Sequence, residues 1–139
     1  MVVFHVLLII LTGCAVLYSD EQALAWLLGK KELLHPKHVL WLHFIVTFGL
    51  AGIIVTGGAL FVRNSSYYLH DPTFLIKMVF VGALIVNGYF IDQFSAIPIE
   101  RPFRSLPQKD RSALLLSGAV SFCGWAGAGI CGLVLGHIL

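Results

Sequence analysis

Charge is scarce here. Charged side chains make up 12% of a chain of 139 residues, and they gather between apolar stretches instead of spreading along the sequence. The formal net charge of +2 is too small to track a nucleic-acid backbone. Cysteine is limited to Cys14, Cys123 and Cys131, all inside apolar stretches, with neither C-x-x-C spacing nor a histidine at metal-ligand distance along the chain. These three read as small packing side chains. There is no Ser/His/Asp set, no phosphate-binding glycine loop, no zinc motif and no pair of carboxylates within an apolar stretch, so no catalytic constellation is recognisable. No internal repeat relates the two halves, which weighs against an inverted-repeat transporter. A cleavable leader is not expected. Met1–Cys14 lacks a basic start, and no small-x-small site precedes Asp20.

Apolar residues are abundant: they supply 58% of the chain, with a mean hydropathy of +0.90, and they fall into four stretches. These are Val2–Tyr18, Val39–Val62, Phe74–Ile91 and Ala113–Leu139. About 20 such residues cross a bilayer core of about 30 Å. Lipid offers backbone groups no partner, so each stretch should be helical. The expectation is an all-α integral membrane four-helix bundle forming one domain, 1–139. Its spans fall near 2–18, 39–62, 74–91 and 106–139, and too little chain lies between them for a soluble domain.

Lysine and arginine orient the bundle. Lys30, Lys31 and Lys37 lie in the first connection, and Arg101, Arg104, Lys109 and Arg111 in the third. The second connection has Arg63 alone. Connections one and three are therefore expected to be cytoplasmic, with both termini outward, in a bacterial inner membrane.

Ser19-Asp20-Glu21-Gln22 has capping-box spacing, with Ala23, Leu24, Leu27 and Leu28 following at helical intervals beside Trp26. This predicts a separate short interfacial helix between helices 1 and 2, ended by Gly29. Ser105-Leu106-Pro107-Gln108 predicts a start for the fourth helix near Leu106. Pro98 and Pro102 predict that Ala96–Arg104 is non-helical. Asp71-Pro72-Thr73 opens the third helix, and Tyr67-Tyr68 suits an interfacial belt.

The fourth span carries Gly124, Ala128, Gly132 and Gly136 four apart, widened by Gly127 and Gly129. The second span has Gly49, Gly52, Thr56 and Gly57-Gly58. Small residues at this spacing let helix backbones approach closely. The structural expectation is that spans two and four pack on each other. The same ridge could instead form a homodimer seam, dock on a larger membrane complex, or leave a groove for a porphyrin or quinone.

Ionisable groups inside a bilayer are costly and often functional. At 1.5 Å per residue, His43 and Asn87 each lie roughly 7.5 Å inside the basic face. With Thr47 and Ser117 they make a candidate polar layer. His43 could be a buried imidazole tying helices together. It could also ligate the iron of haem b, since haem is commonly held by a histidine projecting into an interhelical cleft. No second histidine lies at that depth, so such a haem would be five-coordinate or use an unusual ligand. Lys77 either snorkels to the headgroups or neutralises an anionic ligand. Asp92 could pair with Arg104 or with a lysine of the first connection. At the opposite face, His5, His70 and His137 with Asp71 are a candidate metal set. Otherwise they are solvated helix-end side chains.

The ordered motifs resemble a group of small four-span bacterial membrane proteins. The residues that carry this are Asp20 with Ala23-Leu24-Ala25-Trp26 and Gly29-Lys30, then Leu42-His43, Thr56-Gly57, Phe74-Leu75-Ile76-Lys77-Met78 with Asn87, Pro102-Phe103 with Ser105-Leu106, and Ser117–Ser121 with Trp125. That resemblance implies no settled activity. Through His43 and Lys77 alone, the chain is also loosely similar to copper-resistance D proteins and to the haem-binding membrane protoporphyrinogen oxidase. Three functional expectations follow: a haem or other redox-cofactor protein using His43, Asn87, Lys77 and Thr47, a non-catalytic accessory or assembly subunit, or a small oligomeric transporter.

Overall fold

A computed structural model describes residues 1–138, with side chains through Gly136. Four helices in it are long and apolar enough to cross a membrane. They are α1 (Val2–Leu27), α2 (Pro36–Arg63), α4 (Pro72–Phe94) and α6 (Gln108–Ile138), with the short α3 (Ser65–His70) and α5 (Ile97–Glu100) in the connections. No strand occurs among the described residues. The chain is an all-α four-helix bundle of the membrane-spanning kind. The predicted end of the last span, Leu139, lies outside the described residues.

The helix ends follow from local chemistry. Asp71 caps α4: its Oδ1 accepts from the N–H groups of Thr73 at 2.7 Å and Phe74 at 3.4 Å, with Pro72 at the first helical position. Pro36 plays the same part in α2. Gly29 leaves α1 with φ +73°, a left-handed conformation that glycine adopts without steric cost.

Three connections depart from the sequence expectation. Ser19–Gln22 starts no new helix, because α1 runs unbroken from Val2 to Leu27. Nothing between Cys14 and Leu28 breaks a helix, so the backbone propagates and the capping-box side chains ride on it. The predicted interfacial segment is therefore the last part of the first span. Ala96–Arg104 is not irregular throughout: it holds the single turn α5 and a 3₁₀ turn at Phe103–Ser105. Proline tolerates the first turn of a helix, which is where Pro98 sits. Ser105 bonds back to the Pro102 carbonyl at 2.8 Å instead of capping, and α6 starts at Gln108, slightly later than predicted.

The helices associate as two antiparallel pairs, α1 with α2 and α4 with α6. This corrects the predicted pairing of spans two and four through their glycines. The glycines of α2 receive α1. A Cβ on Gly49 would collide with Thr12, at 2.7 Å from its Cγ2, while Gly52 faces Leu8 and Gly57 faces the ring of His5. The ridge of α6 receives α4, with Gly124 against Leu84, Gly127 against Phe80 and Gly132 near the Lys77 ammonium. Close approach between sequence neighbours needs only a short connection, whereas the predicted pair is separated by a whole span.

Across the seam between pairs, the ties gather at the basic end. Trp26, 2% exposed, donates from Nε1 to the Arg101 carbonyl at 3.1 Å and packs edge-on against Phe103 with ring centroids 5.3 Å apart. The Leu34 N–H donates to the Pro98 carbonyl at 2.8 Å. At the opposite end, Phe61 stacks on Phe74 with centroids 5.4 Å apart, and Tyr68 covers both.

Candidate functional site

Between these ends the two pairs part around a cavity of about 460 Å³ at the basic end. All four spans contribute. Leu42, His43 and Val46 come from α2, Ile91 and Phe94 from α4, Leu114, Ser117 and Ser121 from α6, and Val16 and Asp20 from α1. Lys31, His35 and His38 form the basic rim, with Pro98 beside them. The walls are apolar and the rim is polar, the character of a site for an amphipathic small molecule.

His43 of α2 is an ionisable group in the wall. Its Nε2 lies 3.2 Å from Asp92 Oδ1, and the two side chains are 28% and 63% exposed. This contact crosses the seam, from α2 to α4. It corrects the expectation that Asp92 pairs with Arg104 or a lysine. Arg104 instead lies over Gly29, where its guanidinium would sit 3.4 Å from an added Cβ. Lys31 binds Gln22 Oε1. The helical path past Asp92 explains why His43 reaches it. α4 is followed closely by α5, so Asp92 lies about 12 Å above Glu100, and His43 about 10 Å above Pro36.

Asn87 and Ser117 form a buried reciprocal pair. Asn87 Nδ2 donates to the Ser117 carbonyl at 2.9 Å, and Ser117 Oγ donates to Asn87 Oδ1 at 2.8 Å. Their predicted proximity is therefore observed, as a tie between α4 and α6. Asn87 is bonded there and does not line the His43 cavity. Thr47 is exposed on α2 and does not line the cavity. Lys77, half-buried, lies about 22 Å along α4 from Asp92, so the structure does not bring it to His43.

The histidines of the opposite face have separate partners. His5 is buried, and its Nδ1 lies 2.6 Å from Thr56 Oγ1. Thr56 Oγ1 also lies 2.7 Å from the Gly52 carbonyl, so the hydroxyl links His5 to the α2 backbone. His70 is exposed and donates to the Ser66 carbonyl at 2.8 Å, while Asp71 is occupied as a helix cap. His137 lies outside the residues whose side chains are described. Among the described residues no three His, Cys, Asp or Glu side chains gather as a metal set.

Two lining groups escaped sequence reasoning. Asp20, half-buried, falls in the predicted capping box of a separate helix. An unbroken α1 carries it into the cavity wall instead. His35 and His38 belong to no motif that marks them as cavity residues. Their rings lie 5.1 Å apart at the cavity rim. Helical spacing of Val16, Ser19, Asp20 and Ala23 could have identified the face, had α1 been drawn through Ser19.

No family model, curated protein or solved structure matches this chain.

Proposed function

We propose that this small polytopic membrane protein binds an amphipathic redox cofactor in the cavity between its helix pairs, with His43 as the polar contact. The observation that carries the reading is His43 in the wall of an interhelical cavity, with Asp92, outside the lining, at its Nε2. Asp92 Oδ1 beside Nε2 orients the imidazole. A ring nitrogen that carries a proton donates a hydrogen bond to a carbonyl oxygen.

The lining favours a quinone over haem b. Its charged residues are Lys31 and Asp20, which offset each other, and Lys31 is already bonded to Gln22. The iron of a haem would have to take His43 Nε2 from Asp92. A quinone head is neutral and asks only for donors. When bound it would supply reversible two-electron, two-proton chemistry. His43 would hold its oxygen, and Asp92 would hold His43. Kinship with the small four-span bacterial group belongs to the same proposal, as does an inner-membrane location with the basic end cytoplasmic.

The test is titration of detergent-purified protein with a tail-less methoxy-substituted benzoquinone, together with an absorption spectrum. The expected result is saturable binding that His43→Ala abolishes and no Soret band. A Soret band lost in His43→Ala would replace quinone by haem. Absence of both signals would overturn the reading.

A second reading, a non-catalytic subunit of a dimer or larger membrane complex, has one observation in its favour. Gly129 and Gly136 on α6 have open space where a Cβ would lie. Gly124 and Gly132, by contrast, face α4 of the same chain. Chemical cross-linking in native membranes would show discrete larger species if this reading holds, and monomer alone if it does not.

A further inference from the structure

Resting on the cavity reading above, we infer that the site favours the hydroquinone over the quinone, and that Asp20 is the residue that selects it. Thr12, Val16 and Asp20 follow one another at four-residue spacing on α1, and the first two are buried. Asp20 continues that inward stripe into the cavity wall, where it is the one carboxylate among the described residues. Its depth follows from the packing of the first pair. Thr12 meets Gly49, Leu8 meets Gly52 and His5 meets Gly57. Counted onward along the antiparallel helices, Asp20 comes level with Trp41, roughly 3 Å from the level of His43. One cavity thus presents an imidazole from α2 and a carboxylate from α1 at nearly the same depth.

The carboxylate is unengaged. His43 has Asp92 and Lys31 has Gln22, but among the described residues Asp20 has neither a salt bridge nor a hydrogen-bond donor. An ionised carboxylate only accepts hydrogen bonds. The carbonyl oxygens of a quinone also only accept, so beside Asp20 a quinone meets lone pairs and negative charge. The hydroquinone is the same ring with two protons and two electrons added, and its hydroxyls donate. One hydroxyl donates to Asp20 in a charge-assisted bond. The other oxygen accepts from His43, as a carbonyl would. Ser19 and Ser121, also in the lining, carry hydroxyls that donate and accept alike, so they do not distinguish the two forms.

The experiment measures the affinity of two probes, the tail-less methoxy-substituted benzoquinone and its hydroquinone, for the purified protein at neutral pH under nitrogen. Wild type is expected to bind the hydroquinone about tenfold more tightly, the order by which a charge-assisted hydrogen bond exceeds a neutral one. Asp20→Asn keeps the side-chain shape but removes the charge. It should bring the ratio close to one, chiefly by weakening the hydroquinone. Asp20→Ser gives the same readout if that variant unfolds. Glu100→Gln removes an exposed carboxylate outside the lining and should leave the ratio unchanged. A wild-type ratio near one, a ratio unchanged in a folded Asp20 variant, or an equal change in Glu100→Gln overturns the inference. Quinone binding that needs His43 then leaves the cavity reading standing. If neither probe binds wild type, or binding ignores His43→Ala, the cavity reading falls and takes this inference with it.

Discussion

The interior of each helix pair and the seam between pairs are built on opposite principles. Inside a pair, glycines admit the partner backbone and polar side chains bond across the contact: Gly49 takes Thr12, Gly124 takes Leu84, His5 bonds Thr56, and Asn87 bonds Ser117. Across the seam the contacts sit at the two ends, and the middle opens into a cavity at the basic side. In lipid no hydrophobic force drives helices together, so close packing and satisfied polar groups must do it. Where they are absent, helices stand apart, and the space left is available to a ligand.

The contrast can be broken most severely at Gly49. Replacing it by leucine drives a side chain into Thr12 and should cost about 3 kcal/mol, read as loss of the folded band in thermal unfolding in detergent. Asn87→Leu should cost less. It leaves Ser117 Oγ unbonded in the pair interior, and a double-mutant cycle with Ser117→Ala should give a coupling of about 0.6–1.7 kcal/mol. Trp26→Phe tests the seam. It keeps an aromatic ring against Phe103 but removes the donor to Arg101, and should cost about 1 kcal/mol, with faster hydrogen exchange at Leu34. His43→Ala should change stability by less than about 1 kcal/mol, because the contact with Asp92 is largely open to solvent, yet abolish quinone binding. Gly129→Ala enters open space and should shift stability by at most about 0.5 kcal/mol. A large loss there would show that this face is covered in the native assembly.

Much of the architecture was legible from hydropathy. The four spans, the Asp71 cap and the Gly29 stop all depend on short-range chemistry, which a local sequence window contains. The Asn87–Ser117 tie was legible too, because depth along antiparallel helices is a matter of counting. Less legible was whether Ser19–Gln22 starts a helix or rides on one, since a capping box is only a signal where an upstream helix has ended. The partner of Asp92 was missed because the turn α5 lengthens the helical path beyond Phe94 and sets Asp92 level with His43.

Composition and periodicity by themselves determined that the chain is helical, crosses lipid, and concentrates its positive charge in alternate connections, because those properties are sums over local transfer free energies. Only the tertiary structure decided which glycine ridge meets which helix, that His43 faces Asp92, and that Asp20 lines a cavity. Each of these depends on how helices are rotated and paired, and a glycine or a histidine on a helix face is compatible with several neighbours until packing chooses one.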